Sequence, residues 1–76
     1  MLRRLTEVPT GKEVTIMEFA NEDIHIKLME MGCVPGEVIW IDKIAPMGDP
    51  ISVAVSGYIL SLRKDEAANI LVEEII

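Results

Sequence analysis

The chain has 76 residues, half of them apolar, with a mean hydropathy of +0.34 and a formal charge of 7 − 13 = −6 at pH 7. This describes a single domain over residues 1–76, too hydrophobic to stay disordered and too short for two cores. Its acidity disfavours phosphate backbones and anionic lipid heads, and one Phe, one Trp and one Tyr are few for stacking bases, so neither nucleic acid nor a membrane surface is an expected partner.

From the start, Met1 to Gly11 reads as a leading arm that turns at Pro9-Thr10-Gly11. Glu13 to Phe19 alternates as a strand does, with Val14 and Ile16 on one face and Thr15, Met17 and Phe19 on the other. The stretch Asn21 to Gly32 is expected to be a helix. Asn21 caps it, Glu22 and Asp23 favour its positive end, Asp23 and Lys27 form an i,i+4 pair, and Gly32 provides a left-handed stop. Ile24, Leu28 and Met31 then make its apolar stripe.

Val34-Pro35-Gly36 is expected to turn, and Glu37 to Ile44 to follow as a strand, apolar on both faces through Val38-Ile39-Trp40-Ile41. Ala45 to Pro50 is a loop with Gly48 as a turn residue, in which Pro46 and Pro50 break strand pairing. Ile51 to Val55 alternates with Ile51, Val53 and Val55 inward. Ser56-Gly57 then turns the chain into a strand whose inward set is Tyr58, Leu60 and Leu62. Arg63 to Asn69 is expected to make one or two helical turns, with Arg63 paired to Glu66, and Ile70 to Ile76 a closing strand. The fold class is mostly β. About five strands form a small, partly open SH3-like barrel, with a helix between the first two strands and a helical turn before the last. An OB-fold characteristically has its helix between strands three and four, so it fits less well.

The longest uncharged run, residues 50–62, is short of the roughly 20 apolar residues that a membrane-spanning helix needs. Met1-Leu2-Arg3-Arg4 is followed by no apolar leader, and the single Cys33 forms no intrachain disulfide, so a reduced, cytoplasmic chain is expected. A domain of this size buries only roughly 60% of its unfolded surface, so it needs either a tight core or weak self-association.

No catalytic residue and no cofactor are expected. His25 and Cys33 are the only candidates for nucleophilic chemistry and lack a third, orienting group; His25 reads as a solvated mid-helix residue and Cys33 as a small buried hydrophobe. No metal site is expected either. One histidine falls short of a two-His ferrous triad, and the pairs Glu22-Asp23, Asp65-Glu66 and Glu73-Glu74 read as solvated charge. Met47, flanked by Pro46 and Gly48 at a loop tip, is expected to be exposed and suited to partner contact, with Lys27 and Asp49 as its polar rim; the competing reading has it cover the barrel mouth.

Three ordered segments carry a family likeness: Leu28-Met29-Glu30-Met31-Gly32-Cys33-Val34-Pro35-Gly36-Glu37-Val38, Ala45-Pro46-Met47-Gly48-Asp49-Pro50-Ile51, and Ser61-Leu62-Arg63 with Glu66-Ala67 and Ile70. They resemble the FeoA family, in which a Leu-x-Glu-Leu/Met-Gly-x-x-Pro-Gly segment precedes an Ala-Pro-x-Gly-Asp-Pro loop and a closing Leu-x-Leu-Arg-x-x-Glu-Ala. The likeness runs from Leu5 to Val72. It implies an SH3-like barrel and a cytosolic accessory role in bacterial ferrous iron uptake, with a FeoB-like membrane transporter carrying a cytosolic G-domain as partner. An iron metallochaperone and an activator of the partner's GTPase are the alternatives. Cys33 stands where the family commonly has a larger apolar residue, and His25 and Lys27 replace a more arginine-rich stretch.

Overall fold

The alternating runs assemble into one antiparallel sheet. In the computed structural model, which describes residues 1–75, its strands are β1 (Arg3–Arg4), β2 (Glu13–Phe19), β3 (Val38–Ile44), β4 (Ile51–Val55), β5 (Tyr58–Leu62) and β6 (Ile70–Glu74), in the order β1-β6-β2-β3-β4-β5. Two helices interrupt them, α1 (His25–Glu30) and α2 (Lys64–Ala67). The sixth strand, β1, comes from the leading arm, where Arg3 pairs with Val72 and Arg4 with Leu71. The closing strand ends at Glu74; its expected continuation to Ile76 reaches outside the described residues.

A flat sheet of this width would be a thin slab, because strands lie only about 4.8 Å apart and sheet layers about 10 Å. The chain instead measures 27 × 26 × 24 Å, so the sheet curls on itself. Two bulges help it do so, at Ile16/Glu18 in β2 against β6 and at Ile41/Lys43 in β3 against β4. The first also corrects an expectation. Simple alternation sets Phe19 on the face of Thr15 and Met17, but the extra residue at Met17 reverses the phase and packs Phe19 partly against the core. Beyond the bulges the pattern holds. Val14, Ile16, Ile39, Ile41, Ile51, Val53, Val55, Ile70 and Val72 are all buried, together with Leu5, Val8 and Leu28 from outside the sheet. Val38 and Trp40 stay exposed on the outer face, so β3 is not buried on both sides.

The expected helix over Asn21 to Gly32 is a composite. The Asn21 side chain accepts a hydrogen bond from the Asp23 N–H at 2.9 Å, and residues Glu22–Ile24 wind as a tight 3-10 turn before α1 begins at His25. His25 is therefore the first residue of α1, and it is half-buried with its ring 5.0 Å from that of Phe19 rather than solvated at mid-helix. The stop is as expected. Gly32 takes φ +101°, the Cys33 N–H donates to the Leu28 carbonyl (2.9 Å), and the Gly32 N–H donates to that of Met29 (3.1 Å), the paired bonds of a Schellman cap. The cap's apolar contact is supplied by Cys33 and Leu28, both fully buried. The Glu37 N–H then donates to the Val34 carbonyl (2.9 Å), closing the turn through Pro35 and Gly36.

Tyr58 corrects another expectation. It pairs with buried Val55 and so points to the inner side, but the sheet ends there and it remains 44% exposed. Its hydroxyl donates to the Met31 carbonyl at 2.7 Å, fastening β5 to the end of α1.

Candidate partner-contact site

Residues 45–50 form a closed loop. The Ala45 N–H donates to the Pro50 carbonyl (3.0 Å) and the Gly48 N–H to that of Ala45 (2.8 Å), with Pro46 starting a 3-10 turn over Pro46–Gly48. Met47 stands at the tip, 94% exposed, so it does not cover the barrel mouth. Its backbone is left-handed, φ +74°, a conformation that costs an L side chain roughly 1–2 kcal/mol. The Asp49 carboxylate reaches α2, accepting the Lys64 N–H at 3.0 Å.

Glu66 is the junction beneath this loop. Its side chain accepts the Arg63 N–H (2.9 Å), capping its own helix, and it pairs with Lys27 Nζ of α1 at 2.8 Å while only 6% exposed. The expected Asp23–Lys27 and Arg63–Glu66 pairs are thus replaced by one. Lys27 has a buried, pre-capped carboxylate within reach across the fold, whereas a surface pair between exposed side chains gains little. The Lys27 ammonium and the Arg63 amide together hold the Glu66 carboxyl below its ordinary value of 4.5.

A carboxylate with a lowered pKa adds stability above its unfolded-state value and loses it as pH falls through the folded one. Glu66→Gln is therefore expected to destabilise by about 1–2 kcal/mol at pH 7, and the gap from wild type to shrink as the pH is lowered past the carboxyl's ordinary value of 4.5, as urea melts at pH 7 and in acid will register. Burial pushes the Cys33 thiol up to about 11, with the Glu66 charge adding to it, so this thiol is protonated and unreactive at neutral pH.

An open groove of about 550 Å³ runs between the loop and β5, lined by Asp49, Pro50, Ser61, Arg63 and Glu66. Lys27 joins it through Glu66, so Lys27 and Asp49 are brought to one feature, whereas Met47, two positions before Asp49, is not among the groove's lining residues. Lys27, Arg63 and Lys64, three of the seven Lys and Arg residues of an acidic chain, gather there. Glu66 is the residue that organises the site. Its signal in the sequence was the Arg63-x-x-Glu66 spacing of a capping box, which marks the helix start but says nothing of Lys27. Elsewhere Glu74 pairs with Arg3 at 2.8 Å. Among the described residues no group of three or more His, Cys, Asp or Glu is placed to hold a metal ion.

Comparison with known proteins bears on the same segments. Residues 3–74 match the family model of the FeoA domain. A 71-residue stretch, 92% of the chain, is 37% identical to part of the Fe(2+) transport protein A/Fe(2+) transporter FeoB fusion protein of Porphyromonas gingivalis (strain ATCC BAA-308 / W83). The chain spans 8% of that relative's length. The NMR structure of a FeoA-like protein from Clostridium acetobutylicum superposes with TM-score 0.91 at 43% identity, over 99% of this chain and 88% of the other. FeoA of Stenotrophomonas maltophilia, described as a procaryotic SH3 domain protein and complexed with zinc, superposes with TM-score 0.76 at 29% identity, over 96% of this chain and 89% of that one. The curled sheet is accordingly an SH3-like barrel. With the family match running from β1 to the end of β6, and Gly32, Pro35, Gly36, Pro46, Gly48 and Pro50 all standing at turns or strand breaks of one continuous fold, the chain belongs to the FeoA domain family.

Proposed function

We propose that this chain is a cytoplasmic accessory and regulatory module of bacterial ferrous iron uptake, acting by contact with the cytosolic region of a FeoB-type transporter. The observation that carries this is the Porphyromonas gingivalis protein, in which a segment 37% identical to this chain shares one polypeptide with a ferrous iron transporter. Where the two parts are separate chains, a surface contact has to replace the covalent link. The description of the Stenotrophomonas maltophilia relative as a candidate ferrous iron transport activating factor favours the same reading. No helix of the described residues is long and apolar enough to cross a membrane, and the work assigned to the chain is binding rather than catalysis.

Met47 is the proposed anchor of that contact, with Lys27 and Asp49 at its rim. The tip combines two features that folding alone disfavours, an apolar side chain 94% in water and a left-handed backbone at a residue other than glycine. A partner that buries the methionine recovers the first of these. The groove lined by Asp49, Arg63 and Glu66 beside it supplies polar groups of both signs for orientation.

Calorimetric titration separates this from direct iron carriage. Heat and saturation are expected with the transporter's cytosolic region, whereas anaerobic ferrous ion is expected to give no saturating site. A metallochaperone requires the reverse pattern. Treatment with a chelator is expected to leave the far-UV dichroism and thermal midpoint unchanged, because the fold closes through apolar side chains and caps.

A further inference from the structure

The sheet order leaves β5 at an edge, bonded to β4 alone. The hairpin that leads into it has Ser56 and Gly57 both at positive φ (+49° and +84°), the signature of a two-residue type I′ turn. In such a hairpin Val55 and Tyr58 exchange hydrogen bonds, and bonded pairs recur at every second residue. Tyr58, Leu60 and Leu62 therefore turn their main-chain groups to β4, while Ile59 and Ser61 turn theirs outward. Among the described residues no backbone group of Ile59 or Ser61 finds a partner beyond the β4 ladder.

Natural edge strands are protected by charges, proline, bulges or shortness. β5 reads Tyr-Ile-Leu-Ser-Leu and has none of these: it is uncharged, it pairs with β4 in unbroken register, and Ile59 is 59% exposed. The opposite edge, β1, has only two residues, both arginine.

We propose that β5 is the pairing edge for a second copy of this chain, joined antiparallel about a two-fold axis at Leu60. That register sets Ile59 opposite Ser61 of the other copy and Ser61 opposite its Ile59, so the outward N–H and C=O groups of both residues are satisfied on both chains. Leu60, half-buried, faces its own counterpart at a non-hydrogen-bonded position, where side chains approach most closely. The two Ile59 side chains become diagonal neighbours on the outer face.

Charge fits the same register. Arg63, which has no carboxylate within ion-pair distance among the described residues, falls opposite Gly57 of the other copy. There Ser56 Oγ donates to the Glu37 carboxylate at 2.8 Å, so a guanidinium lies toward a carboxylate at each end of the seam. One short strand per chain buries much less than a standard interface, which makes the dimer a weak one, with a dissociation constant of roughly 0.1–1 mM.

Sedimentation equilibrium of the purified chain over roughly 0.01–1 mM, with amide exchange read by NMR at both ends of that range, tests this. Expected are a mass rising from 8.5 kDa toward twice that value and protection of the Ile59 and Ser61 amides that grows with concentration. Ile59→Lys and Ser61→Pro should each abolish both effects at unchanged thermal midpoint. If the proline variant misfolds, the lysine variant decides, since residue 59 is exposed. Arg63→Glu should weaken the dimer severalfold, and adding Glu37→Arg should restore it. A single monomeric species across the range overturns the proposal, as does a dimer indifferent to Ile59→Lys, or concentration-dependent protection at residues 45–50 or α1 instead of β5.

Discussion

Replacing Gly32 by alanine is expected to destabilise the domain by roughly 2–3 kcal/mol, among the larger effects available to a single methyl group. About 1–2 kcal/mol comes from the backbone, since φ is +101° and an L side chain is strained there. The remainder comes from across the fold. The new Cβ collides with the hydroxyl of Tyr58, which has to withdraw and so loses its 2.7 Å bond to the Met31 carbonyl, worth about 1 kcal/mol. The two parts are separable. In a Tyr58→Phe background the colliding oxygen and its bond are already gone, so Gly32→Ala should cost only its backbone share of about 1–2 kcal/mol. Urea midpoints of the four proteins measure the coupling, and simple additivity would show that Tyr58 and Gly32 act independently.

The contact between Tyr58 and Gly32 also marks where the sequence stops being legible. Turn chemistry is local, and local features were readable. Gly32, the Pro35-Gly36 turn, the Ser56-Gly57 hairpin and the pleat of β4 all follow from neighbours within a few residues. The succession of elements from Glu13 onward and the family likeness followed from combining them, but not the sheet order, nor β1 in the leading arm. What could not be read were consequences of one element meeting another. A bulge at Met17, imposed by pairing with β6, sent Phe19 inward. Lys27 had an adequate partner four residues away in Asp23, and only the docking of α1 beside α2 gave it Glu66, a carboxylate already held by the Arg63 amide. Tyr58 fitted the inward alternation, but where the barrel ends was not encoded in that alternation. For the candidate site the reverse applies. Proline and glycine around Met47 pointed to an exposed tip but left open that it covered the barrel mouth, while the groove beside it, lined from the loop, β5 and α2, was visible only in the fold.

The second large effect belongs to that methionine. Aspartate is better tolerated than methionine in a left-handed backbone, and a side chain 94% exposed has almost no burial to lose, so Met47→Asp should leave the thermal midpoint unchanged or slightly raised. If Met47 is the anchor, the same change removes an apolar side chain whose burial is worth about 1.5–3 kcal/mol and forces a carboxylate out of water in its place. Affinity should then fall by at least about tenfold. Fold and contact are thereby uncoupled at one position, which Glu66 and Asp49 do not allow because both also cap α2.

Titration of the transporter's cytosolic region into the wild-type chain and into Met47→Asp, with thermal midpoints recorded on the same samples, measures the proposed contact directly. The account predicts saturable binding by wild type, binding weakened at least about tenfold by the variant, and equal midpoints. Equal affinity of the two proteins, or no binding by wild type, would contradict it.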